Sequence, residues 1–595
     1  MKNVSLILVS FLLFFLAGCN NVVAPDIIKI TPDGKSLWIA NRAGSELLEV
    51  GREQRKIVSR QSFPTPVNDM LLDPGGRLWV VCDGPEGLLC ELNPDNLNII
   101  SRTPMGYTPS SVEFNAATGT LWVAQRYLGE LWEIDPVSKQ VVSRIEVGRE
   151  PVDVVAVKGG QYLLVANNLP AIASTAYPAA THIDVVDAAS RKIAGRIELV
   201  NGSTDARAIA VAPGEDYAYV THLVGRYQLP TNQVDRGWMS TNAMSVLDLS
   251  CMSLETTILL DTPQRGAANP SAVEISPDGK HIVVALAGTH ELAVIDRALM
   301  HDRLGRIKQG EKVVPSIDKW EDIPNDAGFL YGIREFAPTG GKGPQSFSFC
   351  ESGIIAASYY TGEISLMDGG GDIRSSFVLG TPMTATRAGL GEMYFHDATL
   401  CFQQWQSCAS CHPNQARVDG LNWDLVNDGV GNPKNTKSML YSHQTAPSMI
   451  TGIRKDAETA VRSGLKYILF SDQPDEISKA MDEYLKKLAP LPSPYLVEGA
   501  LSHAAQRGKV NYDKYCASCH SGKFYTDQKK YPVSWATPKD DVPMDVPALV
   551  EIWRTAPYLY DGRSYTMREM LDVHGPSDRL SDNELDELAE YVLSL

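Results

Sequence analysis

The sequence lacks an excess of basic residues, and it has no apolar run long enough to span a bilayer comfortably. Its 595 residues contain 54 Lys and Arg against 71 Asp and Glu, which gives a formal net charge of −17. Phosphate binding needs clustered Lys and Arg, so we expect no nucleic-acid partner. An acidic surface would suit a basic redox partner through long-range electrostatic attraction.

The most pronounced apolar run lies at the N-terminus. Lys2 precedes apolar residues 6–16, and a Leu-Ala-Gly-Cys sequence ends at Cys19. A basic start, a short apolar stretch and small residues before a cleavage site are typical of a signal peptide. The Leu-Ala-Gly-Cys ending resembles the bacterial lipobox, which implies that residues 1–19 comprise a lipoprotein signal and a lipidated Cys19. We therefore expect an exported protein, held by a lipid anchor only. It would face the periplasm or the cell surface, and Asn20 after the cysteine, in place of Asp, favours the outer membrane.

A turn followed by a strand-like run recurs through the first two thirds of the chain. Gly34, Gly76 and Gly119 each close a turn before a Leu-Trp pair and two further apolar residues, and four more units follow. Repeats about forty residues long with this pattern predict propeller blades. We therefore predict an all-β, seven-bladed propeller over residues 25–380, resembling the bacterial YVTN-type family. It would act as a docking platform, with residues 225–242 and 301–342 nearest to a partner.

Two Cys-x-x-Cys-His motifs occupy the last third. They are Cys408, Cys411 and His412, and Cys516, Cys519 and His520. Two thiols one helical turn apart can add to the vinyl groups of a haem, and the adjacent His then reaches the iron. The same cysteines could form a zinc ribbon, but that site would not need a His after each pair. The motifs therefore predict two covalently bound haem c groups.

The remaining cysteines and histidines carry weaker signals. Cys82 and Cys90 are spaced to close a hairpin by a disulfide, although connectivity cannot be read from sequence. Single histidines of the propeller have no partner at ligand spacing, so we expect core or surface roles for them. These are His182, His222 and His290.

The surroundings of the motifs resemble the bacterial dihaem cytochrome c peroxidase family, which includes the MauG-type enzymes. The resemblance runs from about Thr384 to Leu595 and is strongest at 390–395, 431–436, 506–508 and 555–563. It implies a mainly α pair of haem c domains, residues 384–500 and 501–595. Relatives are often dimers, so a homodimer is possible.

The resemblance also implies metal ligands. The family's second haem has a Met ligand just before a Gly, and that position holds His574, which implies His520/His574 ligation and a lower potential than His/Met. A calcium ion between the haems would be held by Asn435 and the carbonyls of Thr555 and Pro557.

The first haem is where this sequence departs from the family. The inter-haem Trp position falls on Ile450 and the distal acid position on Phe470, while Ala460 and Gly464 stand where the family has Gln and Pro, and Asn427 where it has a switchable His. Loss of a general acid costs roughly two to four powers of ten in rate. His443 is the candidate sixth ligand, with His396 as the second choice.

Three functions follow from these observations. The first is a dihaem electron-transfer protein whose propeller docks a redox partner, either a donor or an acceptor. The second is a hydrogen peroxide-reducing peroxidase, with Asp472 or Glu476 as a displaced acid. The third makes the propeller a ligand-binding module and the haems the oxidant.

Overall fold

The computed structural model describes residues 22–228, 239–424, 433–533 and 542–595. The predictions for residues 1–19, Cys19 and Asn427, and part of 225–242, lie outside these ranges. Among the described residues no helix has the length and apolar character needed to cross a membrane.

The first two thirds fold into seven antiparallel sheets, each built from strands that are consecutive in sequence, as predicted. Blade 1 consists of Pro25–Ile30, Ser36–Asn41, Glu46–Gly51 and Lys56–Ser62, and blade 2 of Val67–Leu72, Leu78–Cys82, Leu88–Leu92 and Ile99–Pro104. Blade 3 consists of Pro109–Asn115, Thr120–Gln125, Glu130–Ile134 and Val141–Glu146, and blade 4 of Pro151–Val157, Tyr162–Asn167, His182–Asp187 and Lys192–Glu198. Blade 5 consists of Ser203–Thr204, Ile209–Val211, Tyr217–Gly225, Ser240–Asp248 and Ser253–Leu259. Blade 6 consists of Pro270–Ile275, His281–Leu286, Glu291–Asp296 and Arg334–Pro338, and blade 7 of Pro344–Cys350, Gly353–Ser358, Glu363–Met367 and Ile373–Val378.

Burial explains the Leu-Trp repeats. The second strand of blade 2, Leu78–Cys82, is buried along its whole length, whereas outer strands such as Lys56–Ser62 alternate between exposed and half-buried residues. Trp79 packs in the core cluster between blades 2 and 3, and Trp122 packs in the next cluster, between blades 3 and 4. The indole of Trp79 donates to Asp73 Oδ2 at 3.0 Å, so its polar atom is satisfied inside the core.

The predicted disulfide between Cys82 and Cys90 is absent from this structure. Both residues are free thiols, buried in the core between blades 1 and 2. A hydrogen bond between them raises the pKa of Cys82, and burial raises it further. The three propeller histidines are buried as expected, and His222 Nε2 lies 2.8 Å from Ser245 Oγ.

The stretch 301–342 largely completes the propeller. Helix α1 (Arg297–Lys308) buries Met300, Leu304 and Ile307 against blades 5 and 6, and a 3-10 helix (Trp320–Asn325) adds Ile323 to the same core. Contact of this stretch with a partner stays a prediction.

The last third is mainly helical, as predicted. Its helices are α2 (Arg387–His396), α3 (Cys408–Cys411), α4 (Pro413–Ala416), α5 (Ala457–Tyr467), α6 (Asp475–Leu485), α7 (His503–Tyr515), α8 (Met567–His574) and α9 (Asp582–Leu593). Short strand pairs join Asn422–Trp423 to Lys434–Asn435, Leu496–Val497 to Ala500–Leu501, and Lys530–Pro532 to Pro543–Asp545. A parallel pair, Val22–Val23 with Thr381–Pro382, links the start of the propeller to its exit.

Two similar haem domains form this region, and each crosses its first helix over its last. A Cβ atom on Gly391 of α2 would lie 1.9 Å from the carbonyl oxygen of Ala480 in α6. A Cβ atom on Gly508 of α7 would lie at the same distance from the carbonyl oxygen of Glu587 in α9. Because no side chain fits at either crossing, glycine sets the close approach of both helix pairs.

Candidate haem sites

Both motif histidines are oriented by a backbone carbonyl. Nδ1 of His412 lies 3.2 Å from the carbonyl oxygen of Arg417, and Nδ1 of His520 lies 3.2 Å from that of Tyr525. A carbonyl only accepts, so Nδ1 carries the proton in each ring. Nε2 is then left to bind a metal, which is the arrangement that metal-ligating histidines use.

Burial keeps these imidazoles neutral. It lowers the pKa of His412 to about 4 and lowers that of His520 as well. The four motif cysteines are half-buried free thiols, with no disulfide among the described residues. Neutral imidazole beside unpaired thiols is the donor set that thioether-linked haem needs, so the residues fit two haem c groups.

His574 faces His520 across the second site. The ring centres are 6.2 Å apart and the rings are inclined by 75°. A metal–imidazole bond of about 2 Å puts each ring centre about 3 Å from the metal, so two rings on one iron lie roughly 6 Å apart. Burial, together with the smaller effect of the nearby His520, lowers the pKa of His574 to about 4. The spacing would therefore allow His520 and His574 to hold one iron between them.

An internal repeat shows what occupies the equivalent position in the first site. Thr-Ala-Pro occurs at 445–447 and again at 555–557, and α5 and α8 each begin ten residues after their proline. In both segments a single antiparallel β-bridge joins residues at matching positions, Ser448 with Arg454 and Tyr558 with Ser564. When the two segments are aligned on these features, the counterpart of His574 is Gly464. A Cβ atom there would meet nothing within 4 Å, so this helix position offers open space instead of a ligand.

The two candidate sixth ligands for the first haem contact protein groups. Nε2 of His443 lies 3.0 Å from Asp482 Oδ1, and the ring is 2% exposed. Its counterpart in the repeat is Trp553, which packs against the propeller. Nδ1 of His396 lies 2.9 Å from the carbonyl of Glu392 in its own helix. The contact with Asp482 engages Nε2 of His443, so that arrangement does not support iron ligation, whereas His396, like the motif histidines, contacts a carbonyl through Nδ1. Both assignments stay predictions.

Comparison with known proteins agrees with this geometry. Residues 385–515 match the di-haem cytochrome c peroxidase family, and residues 505–595 match the cytochrome c family. The C-terminal third therefore consists of a part similar to the di-haem cytochrome c peroxidase family, followed by a part similar to cytochrome c. The chain is also similar to two curated proteins of Kuenenia stuttgartiensis.

The first is hydrazine synthase subunit gamma, 23% identical over 279 residues, which are 36% of this chain and 79% of that protein. The second is hydrazine synthase subunit beta, 21% identical over 187 residues, or 31% of this chain and 46% of that protein. A solved structure of Kuenenia stuttgartiensis hydrazine synthase shares the fold, with a TM-score of 0.51 and 19% identity over 60% of this chain and 100% of that chain.

The two halves of the peroxidase-like region interlock through reciprocal contacts. The N–H of Asn435 donates to the carbonyl of Tyr560 at 2.8 Å, and the N–H of Asp545 donates to that of Ile450 at 2.9 Å. In the repeat, Asn435 corresponds to Asp545 and Ile450 to Tyr560. Ile450, predicted at the family's Trp position, therefore lies at this domain interface.

The calcium prediction is partly matched by the geometry. The side-chain amide of Asn435 donates to the carbonyl of Pro557, and Asn435 Oδ1 is buried without a hydrogen-bond partner. Thr555 is in the same turn, where its hydroxyl donates to Ile552 at 3.0 Å. Asn435 Oδ1 and the carbonyl oxygen of Pro557 would supply two of the roughly six to eight oxygen ligands that calcium takes. Calcium binding itself stays a prediction.

The propeller covers the first motif. Asn269 of blade 6 donates to Ser407 Oγ at 2.9 Å and accepts from Ser410 Oγ at 2.9 Å, on either side of Cys408. Among the described residues no hydrogen bond joins the second motif to the propeller, and Ser518, Gly522 and Lys523 next to its cysteines are exposed. The propeller thus holds the first site, and the second faces outwards.

A buried network missed by sequence reasoning joins all three domains. Arg417, whose carbonyl orients His412, pairs with Glu551 of the second haem domain at 2.5 Å. Glu551 also pairs with Arg554 at 3.1 Å, and Arg554 contacts the hydroxyl of propeller Tyr127 at 2.6 Å. The only sequence signal was the position of Arg417 five residues after the motif His.

Proposed function

We propose that this chain is a dihaem oxidoreductase in which the second haem passes electrons and the first binds a small ligand. One observation carries the proposal: His574 stands opposite His520 at 6.2 Å, whereas its counterpart in the first domain is Gly464, with open space around it. When bound, haem supplies an iron that exchanges single electrons and, where a coordination position is open, holds a small molecule.

The protein's own residues divide these tasks. His520 and His574 close both faces of the second site, and two imidazoles favour a lower potential than His/Met ligation. At the first site His412 is held from one side by the Arg417 carbonyl. On the other side α5 presents Gly464, which leaves room for an exogenous ligand.

Peroxide is the less favoured substrate. Phe470, at the family's acid position, is 40% exposed. Glu476, a displaced candidate, pairs at the surface with Arg387 at 2.7 Å, and Asp472 is exposed. Neither of the two displaced candidate acids therefore supports the peroxide reaction. Because the chain is similar to two hydrazine synthase subunits, small nitrogen compounds are a candidate class of ligand besides peroxide.

The remaining parts of the proposal concern location and partners. The lipobox-like ending at Cys19 supports an exported, lipid-anchored chain, and the extensive contact between propeller and haem domains supports a platform that holds the first site. A redox protein would supply or accept the electrons, and a homodimer is compatible with the family resemblance.

The spin states of the two irons test the proposal. We expect two haem additions in the mass spectrum of denatured protein, and one low-spin and one high-spin ferric signal by electron paramagnetic resonance. His574→Ala should add a second high-spin signal, and Gly464→His should convert the original one to low spin. Titration with hydroxylamine, hydrazine and hydrogen peroxide then ranks the ligands. Two low-spin signals in the unaltered protein would refute the open first site.

A further inference from the structure

The sequence segment that contains the second motif is basic, whereas the chain as a whole is acidic. Residues 501–533 contain six Lys and Arg but two Asp and no Glu, within a protein whose net charge is −17. The first motif has no equivalent, because the sequence between Arg387 and Lys434 contains no lysine. Positive charge is therefore specific to the haem site that faces outwards.

Ion pairing removes part of this charge. Lys509 pairs with Asp513 at 2.6 Å, and Lys529 lies 3.8 Å from Asp527. Arg507 pairs with Glu587 in α9 at 2.6 Å. These three cations are locally compensated and contribute little to attraction at a distance.

Three exposed lysines remain, and within the described part of the chain none of them has a carboxylate at ion-pair distance: Lys514, Lys523 and Lys530. Lys514 precedes Cys516 by two residues, and Lys523 follows His520 by three, with its ammonium 4.9 Å from the ring centre of Phe524. Lys530 is next to Tyr531, whose hydroxyl donates to Asp527 at 2.7 Å, and the Asp527 N–H donates to the carbonyl of Cys519.

An exposed apolar residue accompanies these lysines. Val510, 67% exposed, lies one helical turn before Lys514, so the two share a face of α7 next to the motif. Apolar contact within a charged rim is the usual composition of a transient docking surface. We call Val510, Lys514, Lys523 and Lys530 the basic surface.

We propose that the basic surface docks an acidic redox protein, which exchanges electrons with this chain through the second haem. The inference rests on the proposed function and names the partner's charge. At physiological salt the screening length is about 8 Å, so distant acidic residues of the propeller are screened while adjacent lysines act on the partner. The negative charge elsewhere disfavours docking of the same partner away from the haem. The proposed partner is thus acidic, whereas the net charge of this chain alone would suggest a basic partner.

Two low-potential electron donors of opposite charge provide the test. The donors are a reduced plant-type [2Fe–2S] ferredoxin, which is acidic, and the methyl viologen radical cation. Reduction of the second haem is followed by stopped flow at low and high salt in the full-length holoprotein. The test variant is Lys514→Glu/Lys523→Glu. The matched control is Lys56→Glu/Lys192→Glu, on exposed outer strands of blades 1 and 4.

We expect the test variant to be reduced by ferredoxin about tenfold more slowly at low salt, as steering by charge allows. Its reduction by methyl viologen should be unchanged or faster, and the control should match the unaltered protein with both donors. Equal slowing with both donors would overturn the inference, since the lysines would then act on the haem. So would a ferredoxin rate that the test variant leaves unchanged. Failure of the proposed function would show separately, as loss of the low-spin signal assigned to His520 and His574.

Discussion

Arg417 and Glu551 form an ion pair inside the protein, with 2.5 Å between Nε and Oε2 and side chains that are 2% and 1% exposed. The pair connects the loop that orients His412 to the second haem domain. Glu551 also accepts from the N–H of Leu491 at 2.8 Å, so its carboxylate is fully engaged. The pair therefore fixes the relative position of the two haem domains.

Removing Glu551 should destabilise the protein strongly. Glu551→Ala leaves Arg417 and Arg554 buried without their carboxylate, and breaking a buried pair in this way costs about 3–5 kcal/mol. Glu476→Ala is the matched control, because its pair with Arg387 is 68% and 53% exposed and is worth at most about 1 kcal/mol. Denaturant unfolding of the holoproteins measures both. Equal losses would contradict the role of the buried pair.

The glycines at the helix crossings should not tolerate alanine. Gly391→Ala and Gly508→Ala each place a Cβ atom 1.9 Å from a backbone carbonyl, so the helices must separate. We expect a loss of a few kcal/mol in unfolding free energy for each, as for other overpacked sites. Gly305→Ala in α1 is the control, since a Cβ there meets nothing within 4 Å. It should be neutral or stabilising by up to about 1 kcal/mol.

Much of the architecture followed from the sequence because its signals are local. The Leu-Trp runs predicted strands in blades 1 to 3, and these strands are almost entirely buried in the structure. The haem attachment residues stay a prediction, which rests on the spacing that their chemistry fixes. The seven-bladed propeller and the mainly helical C-terminal region are confirmed by the structure.

The first haem site could not be predicted in the same way. His443 was favoured because it is a histidine near the motif, but its partner, Asp482, lies in a different helix. An open position such as Gly464 leaves no signal by itself and is found only by aligning the two domains. The contacts of Arg417 and Asn269 join segments far apart in sequence, and periodicity carries no information about such pairs.

Glu274 makes the stability of the propeller depend on pH. It lies on the innermost strand of blade 6, and burial raises its pKa to about 7. An unfolded Glu titrates near 4.3, so between about pH 4 and 7 the folded chain holds a proton that the unfolded chain has lost. Stability therefore falls as the pH rises through this window, and the full penalty is present above it.

Glu274→Gln should remove that penalty. We expect the variant to be more stable than the unaltered protein at pH 8, by an amount on the order of 1 kcal/mol, and equally stable at pH 4. Thermal unfolding at the two pH values is the measurement. Glu321→Gln, on the 3-10 helix of the blade 6 insertion, is a control expected to show no such dependence. A gain of the same size at pH 4 would show that the effect is not due to ionisation.

Calcium removal should loosen the contact between the haem domains. The paired oxygens of Asn435 and Pro557 lie where the two domains exchange backbone hydrogen bonds, so a bound ion would stabilise the folded state alone. Saturation at one hundred times the dissociation constant contributes about 2.7 kcal/mol. We expect a chelator to lower the Tm of the unaltered holoprotein, and Asn435→Ala to have a lower Tm that the chelator no longer changes. Calcium-free purified protein whose Tm is indifferent to added calcium would exclude the site, because Asn435 and Pro557 would then share only the hydrogen bond that the Asn435 amide donates to the Pro557 carbonyl.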